Sequence, residues 1–194
     1  SIGYRNLAAL HISLGELGAA AEAADRALAL AHRAENKKDE RISMAYQAWV
    51  LHLTGQMSSA SRIFRKAEEI SREIYPENQY MFSNRRIHHA DHLRRTSGSS
   101  TALRQAQDGS SEQVDYARRV TEANLAICER SRWPDHISQC HRVLGDLDAV
   151  ESNYTDARQH YDQAVSIARG ISDRAVLIEA LLGRGRWAAK GAAE

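Results

Sequence analysis

Small residues return along this chain at a nearly fixed interval. Ala8, Ala48, Ala90, Gly145 and Gly183 form one series, and Ala20, Ala60, Ala117 and Ala157 form a second. The steps 8 to 48, 20 to 60 and 117 to 157 are each 40 residues, while 48 to 90 is 42 and 145 to 183 is 38. Around each of these positions apolar residues recur three and four apart, which is the period of one helix face. A small residue on such a face lets the backbone of a second helix come close. The recurring unit is therefore a helical hairpin, and its return every 40 residues or so makes the chain a row of hairpins. Alanine fills about one position in six of the 194, too few for its return at so many equivalent places to be a composition effect.

Composition agrees with this reading. Hydrophobic residues make up 43% of the chain but aromatics only 6%, and there are two prolines. A core of Ala, Leu and Ile suits close-packed helices rather than a β-sandwich, which draws on β-branched and aromatic residues in alternation. The formal net charge of +1 argues against a dominant attraction to nucleic acid or an anionic membrane. Cys128 and Cys140, read as lying at a helix end and a helix start, form no close-spaced motif, so a reducing, cytoplasmic setting is expected. No apolar run has the length of a membrane span, and no signal peptide is visible at the start. The first residue is Ser1, which fits a processed product or an excised part of a longer protein.

Taken in order, residues 1–34 read as the first hairpin, with Tyr4, Leu7, Ala8 and His11 on one face, a break at Gly15, and Leu17, Ala20, Ala24, Ala27 and Leu28 as the second stripe. Residues 35–41 (ENKKDER) read as a charged, solvated connector. In 41–76, Met44, Ala48, Leu51, Gly55, Met57, Ala60, Phe64 and Ala67 repeat the pattern, and Pro76 stops it. The third unit, 79–130, has a first helix over about 79–96 and resumes with Val114, Ala117, Leu125 and Ile127. Between them, 97–113 is rich in Ser, Gly and Gln and reads as an inserted loop; a rival register makes 100–107 the second helix. Trp133–Pro134–Asp135 closes that unit, 137–170 is the fourth hairpin, and 173–190 is a terminal helix that matches Leu144 and Gly145 with Leu182 and Gly183.

The fourth hairpin is the clearest. Leu144 and Gly145 on its first helix, then Ala157, Tyr161 and Ala164 on the second, give small residues at the contact and a tyrosine to fill the space between hairpins. With these positions the chain resembles the tetratricopeptide repeat family in its longer, roughly 40-residue form. Asn124, Asp148 and Arg186 depart from the family's usual small or bulky apolar residues. The resemblance implies an all-α fold, a right-handed α-solenoid of four hairpins and a terminal helix in one domain spanning 1–194. It also implies a non-enzymatic role, as a protein-interaction scaffold without a cofactor.

In that family the first helices line a concave groove that receives a peptide or partner helix. The matching positions here are Arg5, Tyr46, Trp49, His52, His88, Asp91, Arg94, Arg95, Arg142, Asp146, Arg184 and Trp187. Arginine forks onto carboxylates and aromatic rings supply contact area, so a protein or peptide partner with acidic and apolar residues is expected. The family's carboxylate clamp is not reproduced, because Ala9 and Tyr46 stand where it uses Asn. The alternative is a sensor segment of a larger bacterial signalling NTPase, although no ATP-binding motif is present. Nucleic acid ranks below both, on the patch Arg85, Arg86, Arg94 and Arg95 diluted by Asp91, Asp108, Glu112 and Asp115.

Two further clusters carry less. His88 and His92 share a helix face, as two metal ligands would, but Asp91 points elsewhere and only His52 is offered as a third group, so no metal site is assigned. His136, Cys140 and His141 hint at a thiol–imidazole pair, yet adjacent helix positions point to different sides and no catalytic role is assigned.

Overall fold

A computed structural model describes residues 1–76, 84–97 and 109–191, with α-helices and no strands among the described residues. The chain divides into two compact units, Ser1–Met81 and Phe82–Glu194. The first holds α1 (Ile2–Leu14), α2 (Leu17–Arg33), α3 (Lys37–Leu53) and α4 (Met57–Ile74). The second holds α5 (Asn84–Ser97), α6 (Gly109–Ser131), α7 (Pro134–Val150), α8 (Tyr154–Gly170) and α9 (Arg174–Gly191).

Within the first unit each helix packs on the next, and α1 also meets α3. The turns after α1 and α3 are the same structure 40 residues apart. Gly15 (φ 77°) and Gly55 (φ 82°) adopt the left-handed conformation, and the following N–H groups of Glu16 and Gln56 return to the carbonyls of His11 and Leu51 at 2.9 and 2.8 Å. Ala8, Ala20, Ala24, Ala27, Ala48, Ala60 and Ala67 are all fully buried, so the alanine seams lie where the spacing places them. Leu7 departs from the expected face, being 39% exposed while its neighbour Ala8 is covered.

The solvated connector is shorter than expected. Asn36 caps α3 by accepting the Asp39 N–H at 3.0 Å, so helix begins at Lys37 inside the charged run. Arg41, read as the connector's last residue, has no exposed surface; its guanidinium donates to Ser71 Oγ at 3.3 Å and lies 5.2 Å from the Tyr75 ring centre.

In the second unit the pairs α5/α6 and α7/α8 and the last helix α9 pack in chain order, and the first helices α5, α7 and α9 touch in sequence. The inserted loop is also shorter than expected, since α6 starts at Gly109 and makes 109–113 helical. The remainder of that loop, residues 98–108, and with it the rival register over 100–107, lies outside the described residues, as do 79–83 of the expected first helix. Pro134 occupies the first turn of α7, where its missing N–H costs nothing, so the fourth pair opens at 134 instead of 137.

Tyr161 fixes the contact of α7, α8 and α9. Its ring is 1% exposed, and a Cβ at Gly145 would stand 3.0 Å from Tyr161 Cε1 and 3.2 Å from the Ala157 carbonyl oxygen. A Cβ at Gly183 would stand 2.9 Å from the same ring atom. Gly145→Ala is therefore expected to cost about 1–3 kcal/mol in urea unfolding, because backbone has to move. Gly18→Ala, at a helix position open to solvent, should gain about 0.5–1 kcal/mol instead. The equivalence of 144/145 and 182/183 is incomplete: Leu144 is 3% exposed and Leu182 is 56% exposed.

Candidate functional site

The first helices of the second unit bring six of the expected groove residues into one cluster. Asp91 sits on α5 one turn before Arg94 and Arg95, and it accepts from both: Arg94 Nε and Nη2 reach Oδ1 at 3.1 and 2.8 Å, and Arg95 Nη2 reaches Oδ2 at 2.9 Å. From α7, Arg142 Nη1 lies 3.7 Å from Asp91 Oδ1 and 3.1 Å from Asp146 Oδ2. Arg94 Nη2 also approaches Asp146 Oδ2 at 3.5 Å, so the two aspartates share their arginines. The Tyr161 hydroxyl donates to Asp146 Oδ1 at 2.8 Å, and Arg186 Nη2 from α9 stands 3.6 Å from that oxygen.

Burial decides how these groups behave. Asp91 is 1% exposed, Asp146 5% and Arg142 6%. Burial alone would raise the Asp91 carboxyl, but the guanidiniums of Arg142, Arg94 and Arg95 outweigh it and hold the group well below the usual carboxylate range. Burial works the other way on His88: with Arg142 and Arg85 nearby it holds the imidazole down at about 3, against the pull of Asp91, so His88 is neutral. Burial and the Asp146 carboxylate together push the Tyr161 phenol up. Glu179, at 3.9 Å from Arg142 Nε, is raised by burial and partly restored by that arginine.

Four guanidiniums thus meet two buried carboxylates, with Glu179 as the third acid. Arg95, Arg186 and Glu179 keep 42%, 52% and 51% of their side chains exposed, so the outward edge of the cluster carries two guanidiniums and one carboxylate. The remaining residues of the expected groove in this unit lie apart. Arg184 pairs with Asp162 at 3.2 Å, and Trp187 lies 6.3 Å from the Tyr161 ring. Both line an open depression of about 550 Å³ between α8 and α9, with Arg158, Leu181 and Gly185. Among the described residues the indole N–H of Trp187 is buried without an acceptor.

In the first unit Arg5 is 9% exposed and ion-paired with Asp39 at 2.6 Å, and Trp49 stacks on His52 with ring centres 4.8 Å apart. Tyr46 packs on the cluster of Ala8, Ala23 and Ala24. Four of these groove positions are therefore occupied by packed side chains. Of the basic patch, Arg86 is 2% exposed and Arg94 is held by Asp91, while Arg95 pairs with Asp91 yet stays 42% exposed. Among the described residues no three His, Cys, Asp or Glu side chains converge as a metal ion would require.

Other polar groups escaped the sequence reading. Arg118 bridges Asp148 at 2.7 Å and Glu151 at 2.6 Å, and His141 meets His160 nitrogen to nitrogen at 2.9 Å. The signal for them was a polar residue on an otherwise apolar or small-residue helix face: Asn124, Asp148 and Arg186 each have a polar partner, Cys140 at 3.4 Å, Arg118, and Asp146.

Fold and site together define an all-helical protein of successive antiparallel helix pairs with a buried ionic cluster in its second unit. Comparison with protein-family models gives no match, and comparison with curated proteins gives none either. No helix among the described residues is long and apolar enough to cross a membrane.

Proposed function

We propose that the helix pairs are tetratricopeptide-type hairpins forming a right-handed solenoid, and that the chain is a non-enzymatic module that binds a protein segment. The face carried by α5, α7 and α9 is the docking surface. The single observation behind this reading is the pair of half-exposed guanidiniums, Arg95 and Arg186, over a buried Asp91–Arg142–Asp146 frame. A partner carboxylate can be taken up by either fork without reordering the frame, which keeps the entropic cost of docking low. The Trp187 indole N–H, which has no acceptor among the described residues, adds a donor that a partner's carbonyl or carboxylate can engage.

The test is selection of peptides from a displayed random library against the intact chain. Peptides so obtained should bind the double variant Arg95→Gln, Arg186→Gln roughly tenfold or more weakly, with a smaller fall in melting temperature than Asp91→Asn gives, because both side chains are about half exposed and no new carboxylate is set beside Asp91 or Asp146. Equal binding by the variant, or no enrichment at all, removes this face as the binding surface.

A further inference from the structure

Helix α9 packs on α7 and α8 and leaves an apolar face in solvent. Ile178, Leu181 and Leu182 are 57%, 38% and 56% exposed. At the shift of 38 that carries Gly145 onto Gly183, the same positions on α7 are Cys140, Val143 and Leu144, which are 0–3% exposed. The face is thus one that neighbouring helices cover one pair earlier in the chain.

Its side chains are graded in size along the helix. Ile178, Leu181 and Leu182 make the first half bulky, while Gly185, Ala188 and Ala189, all exposed, make the second half small. These six follow the spacing of one helix face, and the charged residues of the stretch, Glu179, Arg184 and Arg186, fall on its edges. A second α9 laid antiparallel, with a two-fold axis at the level of Gly183, sets Leu181 opposite Gly185 and Ile178 opposite Ala188, each pair twice. Every bulky half then meets a small one, the self-complementarity that a two-fold contact needs. Gly185 and Ala188 also line the open depression of about 550 Å³ beside α8, which gives the bulky side chains of the second copy room to enter.

Charge selects the same arrangement. Glu179 and Arg186 lie two turns apart on one edge of α9, with about half of each side chain exposed. A two-fold across the helix turns it end over end and keeps each edge on its own side. Glu179 of one copy therefore comes nearly opposite Arg186 of the other, and the reverse. A parallel pair would instead set bulky on bulky and turn Arg186 toward the edge that carries Arg184. In the antiparallel pair the Arg184 edges face each other, but Arg184 is answered within its own chain by Asp162 at 3.2 Å.

We infer that α9 is the contact through which two copies of this chain associate, antiparallel about a two-fold axis near Gly183. One helix pair with its flanks stands at the small end of specific interfaces, so the dimer is reversible, with a Kd on the order of 10 µM. The inference is independent of peptide capture by the neighbouring face, with which it shares only Arg186.

The experiment is sedimentation equilibrium of the full chain from about 1 to 200 µM, where a monomer–dimer equilibrium is expected. Gly185→Gln is the discriminating variant. Nothing stands within 4 Å of a Cβ there, so the monomer tolerates the side chain, whereas the dimer has Leu181 of the second copy against it. Its dimer should be roughly tenfold weaker or more, at unchanged helicity. Gly185→Leu should weaken the dimer likewise, and Leu181→Ala added to it should restore much of the loss by exchanging bulk for space. A wild type that stays monomeric at 200 µM overturns the inference. So does a dimer that Gly185→Gln leaves intact, as association through the exposed Leu7, Leu10 and Leu14 of α1 would be.

Discussion

Asp91→Asn should lower the unfolding free energy by about 3–5 kcal/mol, the usual range for removing one partner of a buried ion pair. The carboxylate is 1% exposed and is contacted by Arg94, Arg95 and Arg142; without its charge, Asp146 is the nearest carboxylate left to Arg142 and Arg94, with Glu179 farther off at 3.9 Å from Arg142. Asparagine keeps the shape, so the loss reports charge and not a cavity. Asp39→Asn, which breaks the more exposed pair with Arg5, should cost only about 1 kcal/mol. The measurement is urea unfolding of both variants beside the wild type. Equal midpoints for Asp91→Asn and wild type would mean that the cluster is not a framework of the second unit. The same geometry separates the arginines by role. Charge reversal at Arg94, held between Asp91 and Asp146, should destabilise the fold, so binding tests belong at Arg95 and Arg186.

Acid should unfold the second unit over a range where ordinary carboxylates are still ionised. An unfolded histidine takes up its proton near pH 6.5. Folded His88 is held down at about 3 by burial and nearby guanidiniums, and folded His141 at about 4 by burial and by His160. Below pH 6.5 the unfolded chain therefore binds protons that the folded chain refuses, and stability falls as pH falls. His88 contributes up to about 1.4 kcal/mol per pH unit until its own pKa is reached, and His141, partly open to screening solvent, contributes less. Asp91 acts in the same direction lower down: its depressed carboxyl stabilises the fold above the unfolded aspartate pKa and is lost only below about pH 4. Urea midpoints should be flat from pH 8 to 7 and decline steadily from 6.5 to 4.5. His141→Gln should make that decline shallower. A flat profile down to pH 4.5 would show that these imidazoles protonate freely in the folded state.

Helix existence and the seams between helices were legible because both depend on local periodicity and side-chain volume. Ala20, Ala60, Ala117 and Ala157 are each fully covered, and Gly15 and Gly55 each end a helix in the left-handed conformation. Boundaries were less legible where polar residues enter the packing. Spacing cannot tell that Arg41 is swallowed by the first unit, because its partners Ser71 and Tyr75 lie a whole hairpin away. The same limit applies to the candidate site. Register placed Asp91, Arg142 and Asp146 on first helices, but not that they neutralise one another, since Asp91 and Arg142 meet only once α6, between them in the chain, has folded. Glu179 and Tyr161 complete the cluster from helices where nothing in the pattern singled out their polar ends.

Tyr161 leans on Gly145 and Gly183 with its ring while its hydroxyl holds Asp146. A helix at the edge of a fold ordinarily frays by itself, at a small fraction of the global free energy. Here, lifting α9 away would uncover the phenol and loosen the acid it steadies, so the outermost segment and the ionic interior open as one cooperative event. Amide protons of α9 facing that ring should consequently exchange on the timescale of the protein's centre, not of its periphery.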